Sequence, residues 1–263
     1  MRRIRLSCLP DGEAYDMIEF CKRIIKRPVE TFLAYRDFGK IRRLHDRRFK
    51  MKWKERFIIQ PYSPLNSSYD KHYIYHTAWA ARILKKIKPS LHVDISSSLY
   101  FVSIISAFIP VSFYDFKPPN LLLSNLKCAF ENLTKLSFSN ASIESLSCMH
   151  VVEHIGLGRY GDQIDPFGDI KAMEELSRVL KSGGNLLFVV PIGREPKIVF
   201  NAHRIYDKDY IIRTFADLGM NLEEFTLIQN SSDKTGLITN PEESDMDGEE
   251  YACGCFWFKK KTS

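Results

Sequence analysis

The chain has 263 residues, enough for one large α/β domain or two small ones, and its 44% hydrophobic content excludes wholesale disorder. Its formal net charge of +6 is uneven: residues 1–60 hold 17 Lys and Arg against 8 Asp and Glu, and the remainder is slightly acidic. The longest apolar run, residues 99–113, is too short and too broken by serines and a proline to span a bilayer. The basic N-terminus also lacks the apolar stretch of a signal peptide.

Six cysteines occur, at positions 8, 21, 128, 148, 253 and 255, and none forms a CxxC pair. Cys253 and Cys255 are too close in sequence for an ordinary disulfide or a zinc knuckle. We therefore expect reduced thiols and a cytoplasmic protein.

Residues 12–60 have a helical and basic pattern without strand alternation. Such a segment suits an acidic partner, namely a phosphate-bearing substrate, an anionic membrane surface or nucleic acid, although a solvated helix face explains it equally well. We do not expect nucleic-acid binding, because the interleaved aromatic residues have the helical spacing of packing residues; they are Phe38, Phe49, Trp53 and Phe57.

A Pro-, Ser- and Asn-rich stretch at 61–69 predicts a linker. It divides the chain into a basic helical segment with its linker, 1–69, and a domain at 70–263.

From Asp70 onward, helical and strand patterns alternate. Asp70 is placed to cap a helix that ends near Ile87, before Pro89, and its apolar positions are Ile74, Ala78, Ala81 and Leu84. Further helices are predicted at 100–108, 170–180 and 207–218, the second ended by Gly183 and Gly184. Strands are predicted at 91–95, 111–115, 126–130, 145–151, 185–190, 222–228 and 251–259. This alternation predicts a doubly wound, mostly parallel sheet.

The ends of the first two strands have the pattern of a nucleoside site. Asp94 is followed by the small residues Ser96 to Ser98, which let the backbone approach a ligand, and Asp115 ends the second strand, where it can accept hydrogen bonds from ribose hydroxyls. The missing GxGxxG pattern counts against a dinucleotide. Asp94 instead suits a cationic ligand such as the sulfonium and amino group of S-adenosylmethionine, although Asp followed by serines is also an ordinary turn.

Two later blocks carry a specific resemblance. Residues 136–155, LSFSNASIESLSCMHVVEHI, and residues 175–186, ELSRVLKSGGNL, resemble the corresponding stretches of class I methyltransferases. Residues 150–162, 165–169, 200–206 and 253–256 are similar to a methyltransferase-like family known only as a domain of unknown function. The resemblance implies an α/β, Rossmann-like, seven-stranded sheet with an antiparallel last strand and S-adenosylmethionine as cofactor.

The same resemblance implies cofactor-binding positions and shows two departures. Ser96 and Ser98 stand where methyltransferases carry glycine, so their hydroxyls bond the cofactor carboxylate or, alternatively, the pocket no longer binds cofactor. An acid after strand three is expected to meet the adenine amine, and Glu131, beside Asn132, is the candidate. His150, at the end of strand four, completes this cofactor-binding set.

The segment after strand four holds the richest polar cluster and lies where methyltransferases place their substrate-facing loop. A methyl acceptor must lose a proton near the sulfonium, and Glu153 and His154 are the candidate catalytic bases. The alternative is that these groups brace the loop and that Arg159 and Asp162 form a local ion pair. The candidate substrate-binding residues are Arg159, Asp162, His203 and Arg204.

No metal site is expected. His150 and His154 are four residues apart, but the order H-V-V-E-H is not the zincin pattern, and His150 falls at a strand end, where that spacing does not serve a metal.

Together these features predict an S-adenosylmethionine-dependent methyltransferase acting on an oxygen or nitrogen acceptor. A small molecule or a glycan is the expected acceptor, and a role in surface-glycan biosynthesis is suggested by analogy alone. The alternative is a non-catalytic binding or scaffold module with a degenerate cofactor pocket, and a nicotinamide-dependent oxidoreductase is a second rival. The sequence leaves the oligomeric state open.

Overall fold

The computed structural model describes residues 32–43, 51–55, 69–230 and 236–262. The chain comprises two compact units, Met1–Ser68 and Tyr69–Ser263. Within the described ranges, no helix is both long enough and apolar enough to cross a membrane.

The first unit is described only in part. Residues 32–43 form a helix and Trp53–Glu55 a short 3-10 helix, while the rest of the predicted basic helical segment and the linker up to residue 68 lie outside the described residues. The Trp53 ring meets Tyr35 at a centroid distance of 5.0 Å and Phe38 at 5.3 Å, both edge to face. Two of the aromatic residues considered for base stacking, Phe38 and Trp53, therefore pack on each other; Phe49 and Phe57 are not described.

The second unit begins with helix α1, Lys71–Ile87. The Asp70 carboxylate accepts a hydrogen bond from the backbone N–H of Tyr73, which confirms the predicted cap, and the helix ends at Ile87 as predicted, with Lys88 in the left-handed conformation. Of the predicted apolar positions, Leu84 is buried, Ala78 and Ala81 are half-buried, and Ile74 is 56% exposed. The buried face consists of His72, His76, Trp79, Ala80, Ile83 and Leu84. Burial of the large apolar side chains of Trp79 and Ile83 stabilises this orientation of the helix. His72 and His76 lie on the same face and are therefore buried as well.

The other helices of this unit are α2, Leu99–Ile105; α3, Gly168–Val179; and α4, Lys208–Asp217. The described strands are β1, His92–Ile95; β2, Val111–Asp115; β3, Leu126–Phe130; β4, Ile143–Met149; β5, Leu180–Ile192; β6, Lys197–Val199; β7, His203–Ile205; β8, Met220–Ile228; β9, Ile238–Thr239; and β10, Ala252–Lys260. Short 3-10 helices occur at Val152–His154 and Glu243–Met246.

The main sheet has the order β3-β2-β1-β4-β5-β10-β8-β9. Strands β3, β2, β1, β4 and β5 pair in parallel, whereas β10 is antiparallel to both β5 and β8. The predicted Rossmann-like, mostly parallel fold with an antiparallel last strand is confirmed. The sheet has eight strands rather than seven, because the two-residue β9 extends its edge, and β6 and β7 form a separate small hairpin.

Both faces of the sheet are covered. One core packs α3 and α4 against residues such as Phe188 of β5, and the other packs α1 and α2 against Leu187 and Val189 of the same strand. Alternate residues of β5 therefore enter opposite cores, as is typical of a parallel strand buried on both faces.

The expectation for Gly183 and Gly184 is wrong. Helix α3 ends at Val179, and β5 begins at once with Leu180 in extended conformation. Gly183, at φ +72°, lies where the pairing of β4 with β5 shifts register, so the glycines accommodate an irregularity in the strand rather than cap the helix.

The ELSR stretch of α3 is a structural clamp. The Arg178 guanidinium donates to both carboxylate oxygens of Glu175, at 2.6 and 2.8 Å, and to the backbone oxygens of Leu136 and Phe138, both at 2.9 Å. Glu175 in turn accepts the N–H of Leu136 at 2.7 Å. The two resemblance blocks therefore contact each other, which fixes the loop between β3 and β4.

We expect Arg178→Ala to lower the free energy of unfolding by about 2–3 kcal/mol, because it leaves Glu175 and two backbone carbonyls without their charged donor. Lys181→Ala is the matched control, since it removes an exposed ion pair to Glu144 and should cost at most about 0.5 kcal/mol. Urea unfolding measures both. Equal losses in the two variants would contradict the clamp.

Candidate active site

The turn between β1 and α2 has a backbone geometry that normally favours glycine. Ser96 has φ +57°, its N–H donates to Tyr114 O at 2.8 Å, and its hydroxyl lies 3.3 Å from the same carbonyl. Ser98 immediately precedes α2 and makes no side-chain capping bond. The turn thus keeps a glycine-like path, with the Ser96 hydroxyl bonded back to β2.

Asp94 fixes the conformation of this turn through hydrogen bonds. Its side chain is fully buried; one carboxylate oxygen accepts the N–H of Ser97 at 3.0 Å, and the other accepts the hydroxyl of Ser147 on β4. Ser97 Oγ accepts the N–H of Met149 at 3.0 Å, a second tie to β4. Asp94 therefore positions the turn, because both of its oxygens already have partners in the protein.

His92 extends this buried network. Its ring nitrogens lie 2.8 Å from the hydroxyls of Ser145 and Ser147. Because Ser147 donates to Asp94, its oxygen accepts from His92 Nε2–H, which leaves Nδ1 to accept from Ser145. Burial lowers the pKa of His92 to about 3, so the ring is neutral, and burial raises the pKa of Asp94 to about 6.

Asp115 and Glu131 lie at the same carboxyl edge but differ in availability. Asp115 is half-buried and accepts only the N–H of Lys117, at 2.7 Å, among the bonds described. Glu131 is buried and accepts both the N–H and the hydroxyl of Ser137. Both carboxylate oxygens hold the following loop, and the expected contact with adenine stays a prediction.

Sequence reasoning missed two aromatic residues at this edge. Phe116 directly follows Asp115, and its ring lies 5.5 Å from that of Phe130, both more than half exposed. Exposed aromatic faces beside an acid that could accept ribose hydroxyls suit a flat base. The sequence signal that could have indicated Phe116 is that an aromatic residue directly follows the acid at the end of strand two.

A cleft of about 470 Å³ opens beside the turn, at the ends of β4, β5 and β10 and the start of α1. It is lined by Tyr69, Asp70, Lys71, His72, Tyr73, His150, Glu153, His154, Arg159, Tyr160, Pro191, His203, Asn230 and Tyr251. Of the predicted cofactor residues, His150 lines it, whereas Asp94, Ser96, Ser98, Asp115 and Glu131 do not. The cleft adjoins the turn because His150 follows Met149, which Ser97 binds.

The two predicted catalytic residues both line the cleft, with different surroundings. His154 Nδ1 lies 2.6 Å from the carbonyl of Ala202, which can only accept, so the neutral ring carries its hydrogen there and Nε2 holds the lone pair. Glu153 is 1% exposed, and its Oε1 lies 3.0 Å from His150 Nδ1 and 3.7 Å from His154 Nε2. His154 therefore has the geometry of a base, with Glu153 close enough to stabilise its cation.

The predicted substrate-binding residues divide into two pairs. Arg159 and His203 line the cleft, and Arg159 donates to Ala202 O at 2.8 Å. Arg204 does not line it: its guanidinium is buried, donates to Ile155 O at 2.7 Å and lies 3.5 Å from the carboxylate of Asp169.

Asp162 is also absent from the cleft wall. One of its oxygens accepts the N–H of Gly156 at 2.7 Å and the other the N–H of Tyr160 at 3.2 Å. Gly156 has φ +79° and a Cβ there would lie 2.0 Å from Asp165 O, so this loop is tightly closed. Asp162 and Arg204 therefore brace the loop, a role that the sequence analysis considered for Glu153 and His154. The alternative Arg159–Asp162 pair is not among the ion pairs described.

Three further residues of the cleft escaped sequence reasoning. His72 stacks on Tyr251 at a centroid distance of 5.0 Å and on His150 at 5.6 Å, and Tyr73 stacks on His150 at 5.4 Å. Burial lowers the pKa of His72 to about 4, and burial and Glu153 raise the pKa of Tyr251 to about 12. The rings of His72 and Tyr251 are therefore uncharged at neutral pH. The helical period of the sequence gave no signal for these contacts. It shows which residues share one face of a helix, but not which residues of other elements pack against that face.

The chain matches one family model over residues 126–244, described as a Caenorhabditis protein of unknown function, DUF268. Among curated proteins, none matches it.

Among solved structures, three similar chains show the fold. The first, assigned as a sarcosine dimethylglycine methyltransferase from Galdieria sulphuraria, has a TM-score of 0.51 at 11% identity over 70% of this chain and 85% of the other. The second is 1,6-didemethyltoxoflavin-N1-methyltransferase from Burkholderia thailandensis with bound S-adenosylhomocysteine. It has a TM-score of 0.50 at 11% identity over 71% of this chain and 78% of the other. The third belongs to the complex of the Haloferax volcanii Trm112 activator with a protein assigned as a methyltransferase. It has a TM-score of 0.50 at 16% identity over 73% of this chain and 91% of the other. The second unit thus has the fold of class I methyltransferases.

We expect Asp94→Asn to change how stability depends on pH. Because the pKa of Asp94 is raised to about 6, the folded state binds more protons than the unfolded chain between about pH 4 and 6, so the wild type loses stability as the pH rises through this window. The amide cannot titrate, so the variant should gain roughly 1–3 kcal/mol relative to wild type between pH 4 and 7.

Urea unfolding across this range measures the difference. The exposed Asp217→Asn serves as control and should follow the wild-type profile. Parallel profiles for Asp94→Asn and wild type would contradict the buried ionisation.

Proposed function

We propose that the chain is a methyltransferase that binds S-adenosylmethionine at the turn after β1 and transfers its methyl group to an oxygen or nitrogen acceptor in the adjoining cleft. The observation that carries the proposal is the turn itself. Its backbone follows a glycine-like path at Ser96, held by buried Asp94, although the glycines are replaced by serines. A turn that had lost its ligand would have no need to keep a left-handed serine, which costs about 1–2 kcal/mol.

The residues around the turn fit this cofactor. The Ser96 hydroxyl points back to Tyr114 O, so it leaves the outer side of the turn to a ligand, and Tyr100, at 84% exposure, does not fill that side. Asp115 is free to accept ribose hydroxyls, and Phe116 and Phe130 offer faces for adenine. S-adenosylmethionine, when bound, supplies an electrophilic methyl group.

The residues of the cleft act on the acceptor. His154 Nε2 takes the proton from an acceptor hydroxyl or ammonium, and Glu153, with one oxygen 3.7 Å away, stabilises the imidazolium that forms. Arg159 and His203 bind polar groups of the acceptor, while the rings of Tyr73 and Tyr251 supply apolar faces. Stacking faces with nearby hydrogen-bonding groups suit a small polar ring, which supports a sugar or glycan acceptor.

A non-catalytic binding module is the second candidate. It is favoured by Ser96 and Ser98, which stand where methyltransferases carry glycine, and by Glu131, whose two carboxylate oxygens already hold Ser137. The Asp115→Asn and His154→Gln experiments below separate the two candidates.

The excess of basic residues in 1–60 supports an acidic partner or an anionic membrane surface for the N-terminal segment. Free thiols at Cys128, Cys148, Cys253 and Cys255 support a cytoplasmic location.

Calorimetric titration with S-adenosylmethionine tests cofactor binding. We expect one site per chain and a 10- to 100-fold weaker affinity for Asp115→Asn, because the ribose loses a charged acceptor worth about 1.5–3 kcal/mol. Asp217→Asn, an exposed acid at the end of α4, should bind like wild type. No binding at millimolar concentration, with no shift in the melting temperature, would overturn the proposal.

Release of S-adenosylhomocysteine in the presence of a panel of sugar, hydroxyl and amine acceptors tests transfer. For an accepted substrate we expect His154→Gln to lower kcat about 10²- to 10⁴-fold with unchanged cofactor affinity, because the acceptor keeps its proton. Glu144→Gln, at the far end of β4, should retain the wild-type rate. A His154→Gln variant of undiminished kcat would exclude this base, and binding without release for every acceptor would favour the module.

A further inference from the structure

A buried cluster of potential metal ligands lies against the inner wall of the cleft. It consists of His72 on α1, His150 after β4 and Cys253 on β10, and we call it the His–His–Cys cluster. One ligand atom from each residue lies within 4.8 Å of the other two, and all three residues are buried. Three donors from distant parts of the chain therefore converge on one point.

One member of the cluster, His72, and one neighbour of it, Glu153, carry polar atoms without a partner. His72 is 5% exposed and Glu153 is 1% exposed, yet His72 Nε2 and Glu153 Oε2 have no hydrogen-bond partner within the described part of the chain. Burying such an atom without a partner is destabilising. A bound cation would give His72 Nε2 a partner that the described part of the chain does not.

The orientation of His150 is that of a metal ligand. Its Nδ1 lies 3.0 Å from Glu153 Oε1, which can only accept, so the hydrogen is on Nδ1. The lone pair of Nε2 is then directed at Cys253, whose Sγ lies 3.4 Å away. A carboxylate that accepts the outer N–H of a ligating histidine is the usual outer-shell support of zinc sites.

A thiol nucleophile activated by His150 and Glu153 would use the same three groups. Cys253, however, is fully buried and does not line the cleft. A nucleophile must reach its substrate, whereas a ligand needs to reach only the ion, so the burial favours coordination.

We propose that the His–His–Cys cluster binds a zinc-like divalent ion through two imidazoles and one thiolate. Nitrogen and sulfur donors select borderline-soft metals such as Zn²⁺ over Mg²⁺ or Ca²⁺, which require oxygen. His72 and His150 line the cleft, so the fourth ligand position faces it and is open to water or to a bound molecule. Binding forms the metal–sulfur bond and releases the Cys253 proton to solvent.

This inference is independent of methyl transfer, and it differs from the sequence-based expectation of no metal. That expectation weighed His150 only against His154. The fold instead places His150 beside a histidine 78 positions earlier and a cysteine 103 positions later in the chain.

Titration of chelator-treated full-length protein with Zn²⁺, and with Co²⁺ as a spectroscopic probe, tests the proposal. We expect one ion per chain, thiolate-to-cobalt charge-transfer absorption and a zinc-dependent rise in melting temperature. Cys253→Ala and His72→Gln should weaken zinc binding at least 100-fold, and Cys253→Ala should abolish the charge-transfer band. Cys148→Ala removes an equally buried thiol from the other core and should bind zinc like wild type.

Glu153→Gln keeps the site's shape and removes only the carboxylate that orients His150. It should weaken zinc binding about 10- to 100-fold while leaving the charge-transfer band in place at saturation. This variant and the melting curves cover the case in which Cys253→Ala fails to fold. Absence of stoichiometric binding to the wild type, or equal affinity in wild type, His72→Gln and Cys253→Ala, would overturn the proposal whatever the cofactor titration shows.

Discussion

The buried carboxylate of Asp94 organises the second unit, because it connects β1 and β4. These are the neighbouring strands at which the order of the strands along the chain reverses. The carboxylate binds the turn after β1 through the N–H of Ser97 and binds β4 through the hydroxyl of Ser147. The ring of His92 continues the connection to Ser145. Since a buried carboxylate needs all of these partners, the turn and the end of β4 keep one mutual geometry.

Everything proposed for the site follows from that fixed edge. The turn lies on one side of it, with Asp115 and exposed aromatic rings beside it. The histidine-lined cleft lies on the other side, beginning at His150, the residue after β4. A cofactor at the turn and an acceptor in the cleft would thus be held by neighbouring parts of a rigid sheet, and proximity and orientation would contribute to the rate. A metal in the His–His–Cys cluster would lie in the wall of the same cleft.

Much of the site could be read from the sequence where local patterns carry the signal. The strand-ending acids and the polar segment after β4 were visible, because those patterns are local. Glu175 and Arg178 were visible only as part of a block that resembles methyltransferases, since the residues they bind, Leu136 and Phe138, lie far away in the chain. The assignment of roles was less accurate. Glu131, Asp162 and Arg204 are acidic or basic residues in the expected places, but their charges hold loops together. A sequence shows that a charged group exists, not which backbone group it binds.

The fold class could be derived from the amino-acid sequence, since alternating periods of apolar residues specify which segments form strands and helices and the caps specify where helices begin. It also placed His154 and Glu153 in a polar segment near an expected cofactor. The buried face of α1, and hence the contact of His72 with His150 and Cys253, became evident from the assembled fold. The physical reason is that α1, β4 and β10 become neighbours at one edge only when the sheet is assembled, and contacts between residues so distant in sequence leave no periodic pattern in it.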